Sequence, residues 1–179
     1  MKNLKKLFEE NRTNEQLLFQ DMDGCLCDID KGFEDRLGVS IKKYSRQYGM
    51  AVVWDEIESW GSEFWENLPW MPDGKELWNY VKKYNPIILS AANADYQFEG
   101  KIKWLKREIG YSDTPVYSPN NWKSQSNIIF NTEKYKFITS PKDILIDDLM
   151  KNISLWDASG GIGILHNSAQ STIQQLKSL

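Results

Sequence analysis

Five short apolar runs limit what this chain can fold into: LLFQ (17–20), PIIL (86–89), IIF (128–130), ILI (144–146) and IGIL (162–165). None alternates apolar with polar residues, as a strand with one wet face does. Continuous runs of this length suit strands buried on both faces. Between them the spacing predicts helices over 74–84, with Asp73 as N-cap, over 100–109, over 149–158, ended by Gly160 and Gly161, and over 168–176. Strands alternating with helices give an α/β fold with a parallel sheet of about five strands, and ligands of such sheets bind beyond the strands' C-terminal ends.

Two stretches fall outside the alternation. Residues 1–16 read as a short amphipathic helix, with Leu4, Leu7 and Phe8 at helical spacing, or as an arm. Residues 31–70 are helical in pattern and carry Trp54, Trp60, Phe64, Trp65 and Trp70 among many acids. They read as a small helical cap inserted after the first strand, and this leaves 17–30 and 71–179 as the core.

Polar groups gather where the runs end. Asp21 and Asp23 follow the first, Ser90 the second and Asp147-Asp148 the fourth, while Lys134 lies about one turn beyond the third. If the strands are neighbours, three or four carboxylates, a hydroxyl and an ammonium converge on one crevice, an electrostatic problem that a cation solves. Mg²⁺, a hard ion taking oxygen ligands, is the usual choice where a substrate phosphate completes the octahedron. One carboxylate can then attack phosphorus, and another two residues away can protonate the leaving oxygen and later activate water. A hydroxyl and a lysine would hold the phosphate oxygens.

DMDG after a strand, ILSAA, NTEK and ILIDD, in this order, resemble the four signature motifs of the haloacid dehalogenase-like (HAD) phosphatases. More narrowly, DMDGCLCDIDKGFE, FWENLPWMPDG, PIILSAA, GKIKWLKREIG and IIFNTEK resemble the 5′(3′)-deoxyribonucleotidase family, including its bacterial and phage-type relatives. The resemblance implies a HAD-like Rossmannoid core, three layers deep, with a small helical cap. It makes Asp21 the nucleophile and a Mg²⁺ ligand, and Asp23 the general acid/base with its backbone carbonyl on the metal. Ser90, Lys134 and Lys101 would bind phosphate. Asp147 would be the main acidic metal ligand with Asp148 in support, and Phe64, Trp65 and Trp70 would enclose a base.

Other uses of the same residues compete. An EF-hand loop would need Gly sixth and Glu twelfth, whereas Gly24 is fourth and Gly32 twelfth. Asp28 and Asp30 suit a helix start, and His166 a structural place. Lys136 and Lys142 rival Lys134, because the segment between NTEK and ILIDD is longer than the nucleotidase pattern requires. Residues 111–127 are likewise longer and more polar than that pattern. Trp78, Trp104 and Trp156 fall within helical patterns and suit the core, and an apolar cap packing on itself would equally use Phe64, Trp65 and Trp70.

Charge and composition narrow the partners. A net charge of −3 and a pI near 5.3, with Lys and Arg scattered among acids, give no basic face for long nucleic acid. No window is apolar enough to span a membrane, no signal peptide opens the chain, and Cys25 and Cys27 are too close for an ordinary disulfide. The expectation is a cytoplasmic Mg²⁺-dependent hydrolase of a small phosphomonoester, above all a nucleoside monophosphate, acting alone or as a homodimer. A sugar phosphatase, a phosphatase of nucleic-acid 3′ ends and a non-catalytic binding protein of the same fold are the alternatives.

Overall fold

The structure, a computed structural model, describes residues 16–120 and 126–179. The expected helix or arm at 1–16 thus falls almost wholly outside the described residues, as does part of the 111–127 connection. Five strands, β1 (Leu18–Gln20), β2 (Ile87–Ser90), β3 (Ile128–Phe130), β4 (Ile144–Asp147) and β5 (Ile162–Leu165), form one parallel sheet in the order β3-β2-β1-β4-β5. This is the α/β architecture that the apolar runs predict.

The strands are continuous in hydrophobicity because both faces are covered. Leu18, Ile88, Ile128, Phe130, Ile144, Ile146 and Ile164 join one apolar cluster, and Phe19, Ile87, Leu89, Ile129 and Leu145 the other. Alternate residues of every strand therefore go to opposite cores, as the two-residue period of an extended chain requires. Helices α5 (Gly74–Val81), α6 (Asp95–Ile109) and α8 (Ala169–Ser178) cover the first face with Leu77, Val81, Trp104, Leu105 and Ala169. Helix α7 (Met150–Ala158) covers the second with Ile153 and Trp156, joined by Phe137.

Helices α1 (Ile29–Leu37), α2 (Ile41–Tyr48), α3 (Met50–Ser59) and α4 (Gly61–Glu66) lie between β1 and α5. Phe33, Tyr44, Trp60 and Phe64 form a chain of ring contacts that holds them together. Helix α4 packs closely on α6 because Gly100 has no side chain: a Cβ there would lie 2.3 Å from the Ser62 carbonyl oxygen and 2.5 Å from Trp65 Cβ. That contact seats α4 on α6, and residues of all four helices line cavities together with Asp21, Asp23 and Ala91 beyond the C-terminal ends of β1 and β2.

Two local readings change, those of the α6 start and of Asp73. Helix α6 starts at Asp95, five residues before the expected position. Asp73 stands at the N-cap of α5, as expected, but its side chain makes no capping bond there; its carboxylate instead accepts from the Ala169 backbone N–H at 2.6 Å, so it holds the start of α8. Asp28 is an N-cap, accepting from Lys31 N–H at 2.9 Å, and Asp30 accepts from Ile41 N–H, so both acids order α1 and α2. His166 is buried against the Thr172 hydroxyl at 2.9 Å, in keeping with a structural place.

Candidate active site

Asp21 leaves β1 beside β4, its backbone N–H still bonded to the Ile146 carbonyl. The chain then turns tightly: the Met22 carbonyl accepts from the N–H groups of Cys25, Leu26 and Cys27. Gly24 permits the turn with φ +74°, and a Cβ there would lie 2.3 Å from Asp148 Oδ2. The DMDG sequence thus presents Asp21 and Asp23 at the sheet's C-terminal edge while leaving room for Asp148.

The four motifs meet here. Lys134, 3% exposed, donates to Asp21 Oδ1 at 2.8 Å and to Asp147 Oδ2 at 2.6 Å. Its rivals do not reach: Lys136 is half-exposed and pairs with Glu133, and Lys142 is exposed. Lys101 is also fully buried, donating to Asp23 Oδ2 at 2.5 Å, Ser90 Oγ at 3.0 Å and the Ala91 carbonyl at 2.7 Å, with Trp65 beneath its ammonium at 4.8 Å. Two buried lysines therefore partition the acids, Lys134 between Asp21 and Asp147, Lys101 between Asp23 and Ser90. The Cys27 thiol lies 3.3 Å from Asp23 Oδ1.

Burial sets the electrostatics. It pushes the Asp21 carboxyl up to about 8, Lys134 opposing and Asp147 and Asp23 adding to the rise. Asp148 rises to about 6, again through burial first and then Asp147. For Lys134 burial acts downward, but the carboxylates of Asp21 and Asp147 outweigh it and hold the ammonium charged.

The Asp147-Asp148 pair is arranged differently from the family expectation, which gives Asp147 the metal. Asp147 is wholly buried; Lys134 takes Oδ2, and Asn152 Nδ2 and the Leu149 N–H bond Oδ1, Asn152 also reaching Oδ2. Asp148 instead borders the cavity, and ligand atoms of Asp21, Cys25 and Asp148 lie within 4.8 Å of one another. Two carboxylates suit a hard divalent ion. The Cys25 thiol does not, and burial together with the Asp21 and Asp148 charges keeps it protonated. Asn152 carries no motif and was missed; only its position five residues after Asp147, on the following helix, signals it.

Two cavities open over the site and share Asp23, Ile29, Trp54 and Ala91. One, of about 740 Å³, reaches Asp21, Lys134 and Asp148; the other, of about 520 Å³, runs from Asp23 past Trp65 to Tyr96. Of the three aromatics expected around a base, only Trp65 lines either. Phe64 packs between Trp60 and Trp65, and Trp70 packs on Trp104 while its indole N–H donates to Glu108.

Gly24→Ala tests the turn. The left-handed φ and the collision with Asp148 are expected to cost about 1–2 kcal/mol in a denaturant titration and to weaken any stabilisation by Mg²⁺, because Asp148 must move aside.

No family model matches the chain, and no curated protein matches it. Among solved structures it is similar to a hydrolase from Streptococcus pneumoniae TIGR4, at 10% identity and TM-score 0.50, covering 90% of this chain and 97% of that one. It is also similar to a family IA, variant 3 HAD hydrolase from Entamoeba histolytica HM-1:IMSS, at 13% identity and TM-score 0.46, covering 92% and 89%. A HAD family enzyme from Bacteroides thetaiotaomicron, solved as an Asp-to-Ala mutant with magnesium and inorganic phosphate, gives 13% identity and TM-score 0.44, covering 86% and 94%. The pneumococcal likeness is one of fold. No helix among the described residues is long and apolar enough to cross a membrane.

Proposed function

We propose that the chain is a HAD-type, Mg²⁺-dependent phosphomonoesterase acting on a small substrate, with a nucleoside monophosphate favoured. The observation that carries this reading is the Lys134 ammonium held between Asp21 and Asp147 at the end of a parallel sheet, with a second buried lysine, Lys101, bonded to Asp23 beyond β1 and to Ser90 at the end of the neighbouring β2. Titratable groups perturbed by burial and by specific charge partners beside a cavity mark a candidate functional site.

Asp21 and Asp148 would hold Mg²⁺, with the Asp23 carbonyl, and Asp147 would orient Lys134. The ion would supply positive charge to the phosphoryl oxygens and to the two carboxylates. Asp21 Oδ attacks phosphorus; the ester P–O bond breaks and the leaving oxygen takes the proton of Asp23. Water then attacks the aspartyl-phosphate, returns a proton to Asp23 and frees phosphate with Asp21 restored. Ser90, Lys101 and Lys134 hold the phosphoryl oxygens as charge builds on them. The deoxyribonucleotidase-like motifs and a cavity with aromatic walls favour a nucleotide over a sugar phosphate, and a net charge of −3 counts against a nucleic-acid end.

The test is phosphate release from a panel of nucleoside 5′- and 3′-monophosphates, sugar phosphates and an aryl phosphate, with Mg²⁺ and with chelator. Turnover of several monophosphates is expected, lost with chelator and fastest for nucleotides. Equal rates on sugar phosphates would remove the nucleotide preference; no release from any substrate would remove the enzyme.

A further inference from the structure

The smaller cavity has chemistry of its own. It is walled by Trp54 and Glu58 from α3, Trp65 from α4, Tyr96 and Gln97 from the first turn of α6, and Thr132 beyond β3. Trp54 and Glu58 stand four residues apart and so lie one above the other on the same face of α3. Val53 and Ile57, each one position earlier, form the buried stripe, and Trp54 is left 46% exposed where the two cavities meet.

Charge distinguishes this lobe from the phosphate end. Among the described residues no Lys, Arg or His lines it, whereas Lys42 and Lys134 line the other cavity. Asp23 is already paired with Lys101, so the acid left facing the space is Glu58, which makes no ion pair among the described residues. The α6 N-terminus would draw an anion, but Asp95 in its first turn and Glu58 across from it oppose that pull. Glu58 is near enough to Tyr96 that, after burial, it is the main cause holding that phenol above its usual value. At the same wall the Trp65 indole N–H, on a residue 2% exposed, has no acceptor among the described residues.

We infer that this lobe receives the organic part of the substrate, and that Trp54 and Glu58 select a planar ring bearing hydrogen-bond donors and reject a second anionic group. This rests on the phosphomonoesterase reading. The indole face of Trp54 stacks on any base, and the Glu58 carboxylate accepts from a ring or amino N–H. A substrate with a second phosphate would place like charges together in a cleft where no cation among the described residues lines the wall to offset them.

The experiment compares kcat/KM of the full chain, with Mg²⁺, for adenosine 5′-monophosphate, ribose 5-phosphate and adenosine 3′,5′-bisphosphate. The wild type is expected to favour the monophosphate over the bisphosphate, and Glu58→Lys to shift that ratio toward the bisphosphate by about tenfold or more. Glu58→Gln should shift it in the same direction by less. Trp54→Ala should reduce the preference for adenosine 5′-monophosphate over ribose 5-phosphate, through KM more than kcat. Both positions are exposed, and a thermal melt of each variant checks that the fold is kept. Ratios unchanged in Glu58→Lys and Trp54→Ala, in protein that still releases phosphate, would overturn this inference alone. Absence of phosphate release from all three substrates in the wild type would overturn the phosphomonoesterase reading and this inference together.

Discussion

Asp21→Asn is expected to lower phosphate release by about 10³-fold or more and, at the same time, to make the metal-free protein more stable at pH 8. The first effect follows because the amide keeps the carboxylate's shape but cannot attack phosphorus. The second follows from burial. With its folded value raised from 3.8 to about 8, Asp21 keeps a proton in the fold over a pH range where the unfolded chain has lost it. The unfolded state then binds fewer protons, so stability falls as pH rises between those two values. Asn has no proton to lose, so the variant escapes that decline. Melting curves from pH 5 to pH 8 in chelator should therefore converge at the acid end and separate at the alkaline end. Mg²⁺ should reverse the order by raising the wild-type midpoint, and raising it more at pH 8 than at pH 5, since the ion competes with the proton for Asp21 and Asp148. Loss of turnover without this crossing of stabilities would mean that Asp21 is not the buried charge that the metal neutralises.

The fold was legible because its strands obey one simple rule. Parallel strands covered on both faces must be apolar at successive positions, and 18–20, 87–89, 128–130 and 144–146 are, with Gln20 the single polar exception. Lys101 was legible in a second way that the motif comparison does not use. It stands three and four residues before Trp104 and Leu105, on the buried stripe of α6, while Lys103 pairs at the surface with Glu66 and Glu99. A lysine at a core position needs partners, and Asp23, Ser90 and the Ala91 carbonyl supply them.

What sequence could not decide is where side chains point once the chain leaves regular structure. Asp147 is the last residue of β4 and turns inward to Lys134 and Asn152; Asp148, one residue on, faces Asp21 and Cys25. Both readings of that pair are equally good in one dimension. The aromatics pose the same problem. Phe64, Trp65 and Trp70 look alike in sequence, yet of the three only Trp65 lines either of the two cavities over the site, while Trp54, one residue from a buried valine, lines both. The signal for Trp54 and Glu58 was the stripe of Val53 and Ile57, which leaves its neighbours at +1 turned away from the core of α3.

Lys134→Met carries the largest expected cost to the fold itself. Lys134 is the cation shared by two buried carboxylates, and removing one partner from a buried ion pair leaves a charge without compensation, at about 3–5 kcal/mol. Met keeps most of the volume, so the loss measured by denaturant titration is electrostatic rather than a cavity effect. The pH dependence gives the sign. The ammonium's folded value lies above its unfolded 10.5, so in the wild type its contribution is complete at neutral pH and is lost only as pH rises past that value. In the variant the two acids must instead protonate, so the deficit should shrink toward acid pH. Adding Asp21→Asn to Lys134→Met removes one of the stranded charges, and the double variant should be more stable than Lys134→Met alone at pH 8 although both lack turnover. If the two substitutions are simply additive in stability, Lys134 and Asp21 are not coupled. The buried triad would then be no more than packing, and the electrostatic account of the site would fail at its centre.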